Sequence, residues 1–413
     1  MITKDKLRSL AEQYLLPFFS GAKIELGVSS SSSREQRVAY RDPCNIDFKV
    51  EKTDTYRLTL QRSQPFYTSI SNRVPEIDVV QAFVDVVRDM QDAIGKPYEL
   101  DLLATFQRRI VAKAVANPDC QNLVLESLDH MDALSTRLYE GRPVAACIGI
   151  ADTMGELSAK PIRKIWEKDF CTVITNGFDT LLEIGKDGKL IAHRSLTYPG
   201  SASFHSPNRL APIADWAAGK KIAIVLNRLG EILVMKDHRL VFARRSGAWH
   251  FVSLDPLVSQ MSLPADDRIR KAILETCLDA SFARTGACIG VVGSGSSQMA
   301  EYRRIVQEND QLRVGKSQKT IALQRMINKQ SFHSLDRRFR QELVAIDGAT
   351  IINYKGEILA VGAILKIGGG STGGGRLAAA KALCKAGVGI KVSQDGGVLG
   401  FVHKSSKPKF YLL

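Results

Sequence analysis

The chain has 413 residues, 45% of them hydrophobic, which is long enough for two or three domains with sizeable cores. Lys and Arg outnumber Asp and Glu by 57 to 43, and the resulting net charge of +14 favours anionic partners such as nucleotides or nucleic acid without choosing between them. No stretch reaches the roughly 18 apolar residues that span a bilayer, and the first residues lack an apolar signal core, so the expectation is a cytoplasmic protein with no membrane partner.

Residues 4–19 carry an amphipathic helical pattern, and the serine run at 29–33 reads as a loop. Alternating stretches at 46–52 and 55–62 read as a hairpin. Helical patterns follow at 77–93, 100–116 and 122–139, then β-rich runs at 144–150, 171–175 and 180–185. The turn-rich segment 196–217, with Pro199, Gly200, Pro207 and Pro212, marks a boundary between an N-terminal region over 1–210 and a C-terminal domain over 215–413. Beyond it come a hairpin at 221–227 and 231–236, a helix at 267–283 and an apolar strand at 287–292. A helix at 334–343 leads into β runs at 344–353 and 357–365; a helix at 376–385, stopped by Gly387, precedes strands at 389–393 and 398–403. The fold class is therefore α/β: a C-terminal mixed sheet covered by helices, preceded by a separate α/β domain.

The seven cysteines are scattered with no C-x-x-C pair, and the seven histidines show no close ligand spacing, so neither a disulfide framework nor a protein-only metal site is expected. Gly315-Lys316-Ser317 resembles the end of a P-loop, but the glycine required five positions earlier is Asp310. Gly290 to Gly295 follows a strand, yet Gln298 stands where G-x-G-x-x-G needs its last glycine. The segment 368–376 is different. Six glycines fall within 368–375, between an apolar run and a helix-forming segment, where backbone N–H groups and a helix N-terminus make an anion cradle. A flexible Gly/Ser linker is the alternative. Asp347 interrupts an apolar run, and a carboxylate buried there needs a cation, a metal or hydrogen bonds to offset desolvation; a turn aspartate satisfied by its own backbone is the plainer reading.

On these residues the chain resembles the diadenylate cyclase domain family, the nucleotide-binding domain of the DNA integrity scanning protein and its relatives. Gln341 to Ala349 resembles the family's DGA motif, and Arg284-Thr285-Gly286-Ala287 its RTGA entry to an apolar strand. Gly373 to Ala379 falls where its GTRHRAA motif lies, and Val392-Ser393-Gln394 resembles its VSQ/VSE strand end. The resemblance implies condensation of two ATP molecules into cyclic di-AMP with loss of two pyrophosphates. Magnesium or manganese would arrive with the nucleotide, and a face-to-face homo-oligomer would join two sites. It implies a catalytic and metal-holding Asp347, with nucleotide contacts from Gly348, Ala349, Leu365, Thr372, Gly373, Gly374, Gly375, Arg376 and Ser393. Where the family has Thr-Arg-His-Arg this chain has Gly374-Gly375-Arg376-Leu377. Two further readings stand beside it: a nucleotide or cyclic-dinucleotide sensor without catalysis, and a basic nucleic-acid-binding protein, although basic runs such as Arg108-Arg109 and 160–168 are more often solvated helix faces. Residues 1–210 resemble the soluble sensor modules that precede some of these domains, and they would answer to an unknown ligand.

Overall fold

The structure, a computed structural model, describes residues 2–27, 36–51, 57–67, 74–97, 99–168, 174–261, 265–367, 374–402, 405 and 407–413. It divides into two compact α/β units, Met1–Val252 and Ser253–Leu413. The division lies about forty residues beyond the turn-rich boundary expected near 210–215. The reason is non-local pairing: Ile222–Leu226 hydrogen-bonds antiparallel to Ala146–Ile150, so the hairpin strands from 222 to 251 complete a sheet of the first unit.

The first unit holds two sheets. A four-stranded antiparallel sheet runs in the order Lys23–Gly27, Arg57–Gln61, Asn45–Phe48, Val38–Asp42. A seven-stranded mixed sheet runs from Ala248–Phe251 through Arg239–Arg245, Ile232–Lys236, Ile222–Leu226, Ala146–Ile150 and Thr180–Ile184 to Leu190–Ser195. The helices Glu76–Asp89, Phe106–Val115 and Gln121–Ser135 bury their apolar stripes in a core with Phe48, Phe83, Phe106 and Phe242. The N-terminal helical pattern resolves into a short α-helix at Lys4–Leu10, a π-helical segment at Ala11–Leu15 and a 3₁₀ turn at Leu16–Phe18. The expected loop at 29–33 and β run at 171–175 lie wholly or mostly outside the described residues.

The second unit is a six-stranded mixed sheet in the order Ile358–Ala363, Ala349–Asn353, Ala287–Val292, Gly387–Val392, Val398–Val402, Phe410–Leu412. Only Ala287–Val292 and Ala349–Asn353 are parallel among its pairs. The central strand Ala287–Val292 is buried throughout, as a strand covered on both faces must be. On one face lies Arg337–Ala345, whose Leu343 carbonyl accepts from the Thr350 hydroxyl at 3.3 Å. On the other, the helix Gly375–Leu383 sits on a cross-strand glycine pair. A Cβ at Gly389 would lie 1.8 Å from the Ala380 carbonyl oxygen, and one at its partner Gly290 would lie 2.8 Å from Leu383 Cδ2. Those two glycines let an alanine-rich helix settle directly on the sheet.

Helix Asp267–Ala283 starts where Asp266 accepts from the Arg268 N–H and ends with Arg284 in the left-handed region. It is joined to Arg337–Ala345 by buried ion pairs: Arg337 Nε to Asp279 Oδ2 at 2.7 Å, and Arg340 Nη2 to Glu275 Oε2 at 2.7 Å. Among the described residues no helix is long and apolar enough to cross a membrane.

Candidate functional site

The register of the second sheet gathers segments that lie far apart in sequence. Ile289 pairs in parallel with Thr350, so the segments that precede Ala287 and Ala349 enter the sheet at the same end. Ala287 pairs antiparallel with Val392, which sets Gly286 beside Ser393 on its other side. Ala349 pairs with Ala363, so Leu365 leaves the sheet at the same end. The RTGA, DGA and VSQ segments therefore meet at one sheet end.

The helix after the glycine segment brings the fourth segment there. Its N-cap, Gly374, has φ +86 and offers no side-chain cap; the Leu377 N–H donates to the Gly374 carbonyl at 3.2 Å, while helix geometry gives the Gly375 and Arg376 N–H groups no acceptor within the helix. Arg376, in the first turn, reaches back across the sheet end. Its Nη2 donates to the Thr285 carbonyl at 3.5 Å, and its guanidinium lies so close to Gly286 that a Cβ there would be 2.6 Å from Nη1. A Cβ at Gly286 would also lie 3.3 Å from Gln394 Cγ, and Arg284 Nη1 donates to the Gln394 carbonyl at 3.4 Å. Ser393 anchors this turn through its backbone, with its N–H donating to Gly397 at 2.8 Å and its carbonyl accepting from Gly396 at 3.0 Å. Thr372 and Gly373 lie outside the described residues.

Asp347 is exposed, and the expectation of a buried carboxylate is corrected here. The apolar run 344–352 is not one strand: Val344 and Ala345 close the preceding helix, Ile346 and Asp347 form the turn, and the strand begins at Ala349. The turn is pinned from below by two glycines. Gly348 has φ +106, and a Cβ there would lie 2.6 Å from the Gly362 carbonyl carbon. Gly362 has φ +58, and a Cβ there would meet Ile346 Cγ2 at 2.6 Å and the Asp347 carbonyl oxygen at 3.0 Å. The bulge between Ala349 and Ile351 is the register fault that accommodates this approach.

Sequence reasoning missed the clamp behind that bulge. Lys319 Nζ donates to the Gly362 carbonyl at 2.9 Å and to Asp310 Oδ1 at 2.6 Å, while Asp310 Oδ2 accepts from the Ile364 N–H at 3.3 Å. A glycine inside a strand pattern was a readable signal for Gly362; Lys319 carried none. The Gly315-Lys316-Ser317 triplet turns out to be a helix start, with the Ser317 hydroxyl accepting from the Thr320 N–H at 3.2 Å. Leu365 forms a bridge with Val306 in which the neighbouring Lys366 N–H donates to Ile305 at 2.7 Å. Leu365 is partly buried against the core, two residues beyond the last strand pair, Ala349 with Ala363.

Among the described residues no three His, Cys, Asp or Glu side chains are grouped as metal ligands, and Asp347 has no ion-pair partner there. A single exposed carboxylate fits a hard divalent cation that is held mainly by the phosphates of its own nucleotide, rather than a protein cage. Among the described residues six cysteines are free thiols. Cys288 is buried, and that burial pushes its thiol up to about 12 against the opposing pull of Arg376.

No protein-family model matches the chain, and no curated protein matches it. Among solved structures it is similar to DacA from Staphylococcus aureus, in a double-cysteine mutant. The two are 16% identical over 35% of this chain and 86% of that chain, with a TM-score of 0.22, too low for the likeness to carry weight.

Proposed function

We propose that the second unit binds ATP at this sheet end and acts as a diadenylate cyclase, joining two ATP molecules into cyclic di-AMP. The observation that carries the reading is convergence. Arg284–Ala287, Asp347–Ala349 and Ser393–Gln394 resemble three motifs of that family in order, Gly374–Arg376 falls where a fourth lies, and the sheet register together with the reach of Arg376 to Thr285 gathers the four at one end. In each condensation a ribose 3′-oxygen bonds to the α-phosphorus of the other nucleotide, the bond from that phosphorus to pyrophosphate breaks, and the hydroxyl proton passes to Asp347. Gly348 lets a nucleotide approach the turn, the N–H groups of Gly375 and Arg376 face phosphate oxygens, and Arg376 adds positive charge. A magnesium or manganese ion, when bound with ATP, would neutralise phosphate charge, with Asp347 as its protein ligand.

The reaction needs two sites facing each other. Ile346, next to Asp347 in the chain, and Ile364 and Ile367, beyond the strand that pairs with Ala349–Asn353, are 39%, 55% and 38% exposed and in this reading supply apolar surface for a second copy. In this reading the first unit is regulatory. A nucleotide sensor without turnover is the second reading, favoured by one observation: the family's arginine-rich motif is replaced by Gly374-Gly375-Arg376-Leu377, and Arg376 is turned onto the Thr285 carbonyl.

The test is incubation of the full chain with ATP and magnesium or manganese over a range of protein concentrations, with nucleotides resolved by mass. Cyclic di-AMP from the parent and none from Asp347→Asn supports the enzyme. ATP binding with no cyclic product supports the sensor, and no nucleotide affinity rejects both.

A further inference from the structure

We propose that the first unit carries a binding site for a small aromatic monocarboxylate, in a cleft of about 350 Å³ lined by Tyr14, Leu100, Leu103, Arg108, Arg244 and Trp249. The inference does not depend on the reading of the second unit. Four stretches of chain build the cleft. Arg244 and Trp249 stand directly opposite each other on the antiparallel strands Arg239–Arg245 and Ala248–Phe251, so a guanidinium and a flat indole share one sheet face. Leu100 and Leu103 come from the helix Glu99–Ala104, and Arg108 from the helix that follows the break at Thr105. Tyr14 comes from the π-helical segment Ala11–Leu15, a local distortion of a kind that recurs at binding sites.

The charges are arranged before any ligand arrives. Asp132 bridges the two guanidiniums, with Oδ2 2.5 Å from Arg108 Nη1 and Oδ1 2.7 Å from Arg244 Nη1, and Asp129 Oδ1 lies 2.5 Å from Arg108 Nε. Arg108 is thereby locked on two of its nitrogens. Arg244 uses a single nitrogen on Asp132, and among the described residues its remaining donors meet no acceptor. A guanidinium with an open N–H pair on a cleft wall is matched by a carboxylate, which accepts two parallel hydrogen bonds. Two cations already balanced by two aspartates suit a singly charged ligand better than a polyphosphate.

The rest of the wall selects a ring. Tyr14, Leu103 and the indole of Trp249 are flat or apolar, and Leu100, 78% exposed, is a large apolar side chain left in solvent at the site. The cleft volume lies at the small end of ordinary ligand sites, room for one ring with its acid group.

The test is titration of the full chain with benzoate, with benzamide as the neutral shape match and phenyl phosphate as the dianion, up to about 10 mM. Binding is followed by calorimetry and by tryptophan fluorescence, with Trp249→Phe identifying the part that comes from the cleft. Saturable benzoate binding, with benzamide and phenyl phosphate weaker, is expected. Arg244→Gln should weaken benzoate at least about tenfold, the loss of a charge-assisted contact. Leu100→Glu, on an exposed position that leaves the core intact, should also weaken benzoate by adding a like charge, and it guards against a misfolded arginine variant. No benzoate binding, equal binding of benzamide, or unchanged affinity in both variants would overturn the proposal.

Discussion

Replacing Gly348 with Ala tests the geometry beneath Asp347. The added methyl would stand 2.6 Å from the Gly362 carbonyl carbon, 2.8 Å from its oxygen and 2.9 Å from the Ala363 nitrogen, all backbone atoms of the neighbouring strand. Relief requires that strand to move by most of an ångström. The φ of +106 is also closed to a residue with a Cβ. Strain of that kind costs about 1–3 kcal/mol, and overpacking adds about 1–3 kcal/mol, so Gly348→Ala should destabilise the second unit by roughly 2–6 kcal/mol. The assay exploits where the tryptophans lie. Trp166, Trp216 and Trp249 all belong to the first unit, so urea unfolding followed by fluorescence reports that unit, while far-ultraviolet circular dichroism reports both. The dichroism transition should shift to lower urea with the fluorescence transition unmoved, and ATP affinity should fall. The control is Gly375→Ala, at a helix position with open space and no left-handed φ, which should be neutral or stabilising. A Gly348→Ala chain within about 1 kcal/mol of the parent and with unchanged ATP affinity would refute the reasoning.

Asp279→Ala leaves the Arg337 guanidinium in a site where the two side chains are only 1% and 10% exposed. The second unit should lose about 3–5 kcal/mol, seen in the dichroism transition and absent from the fluorescence transition. The first unit should be acid-sensitive. Burial, aided by Arg137 for His130 and by Arg245 for His250, pulls both rings from 6.5 down to about 4. The unfolded chain takes up these protons near pH 6.5 and the folded chain only near pH 4, so their contribution is fully present above pH 6.5 and is lost as pH falls through 4. Fluorescence-detected urea midpoints at a series of pH values should be level above neutrality and decline across that window, and replacing His130 with Phe should flatten part of the decline.

The segments most legible in the sequence were those whose ends carry local chemistry. The helix Asp267–Ala283 and the strand Ala287–Val292 match the expected limits because Asp266 caps one end and Gly286, with φ +64, makes the turn between them. The hairpin Ile222–Leu226 with Ile232–Lys236 follows from apolar runs around Gly230. The unit boundary was not legible, because nothing local to 222–251 announces pairing with Ala146–Ile150. The helices Ser296–Ile305 and Gln318–Ile327 were missed: the first is largely polar, and the second buries only Thr320, Leu323 and Ile327. The exposure of Asp347 was hidden by its apolar neighbours, since a helix end, a turn and a strand start read as one run when Ile346 happens to point outward.

The central claim is that four separated segments form one nucleotide site, and amide hydrogen exchange of the full chain with and without ATP and magnesium tests it most directly. Slowed exchange appearing together in 284–287, 347–349, 374–376 and 393–394 is the predicted result. Nucleotide protection confined to one of these segments or located elsewhere, or no protection at saturating ATP, would contradict it.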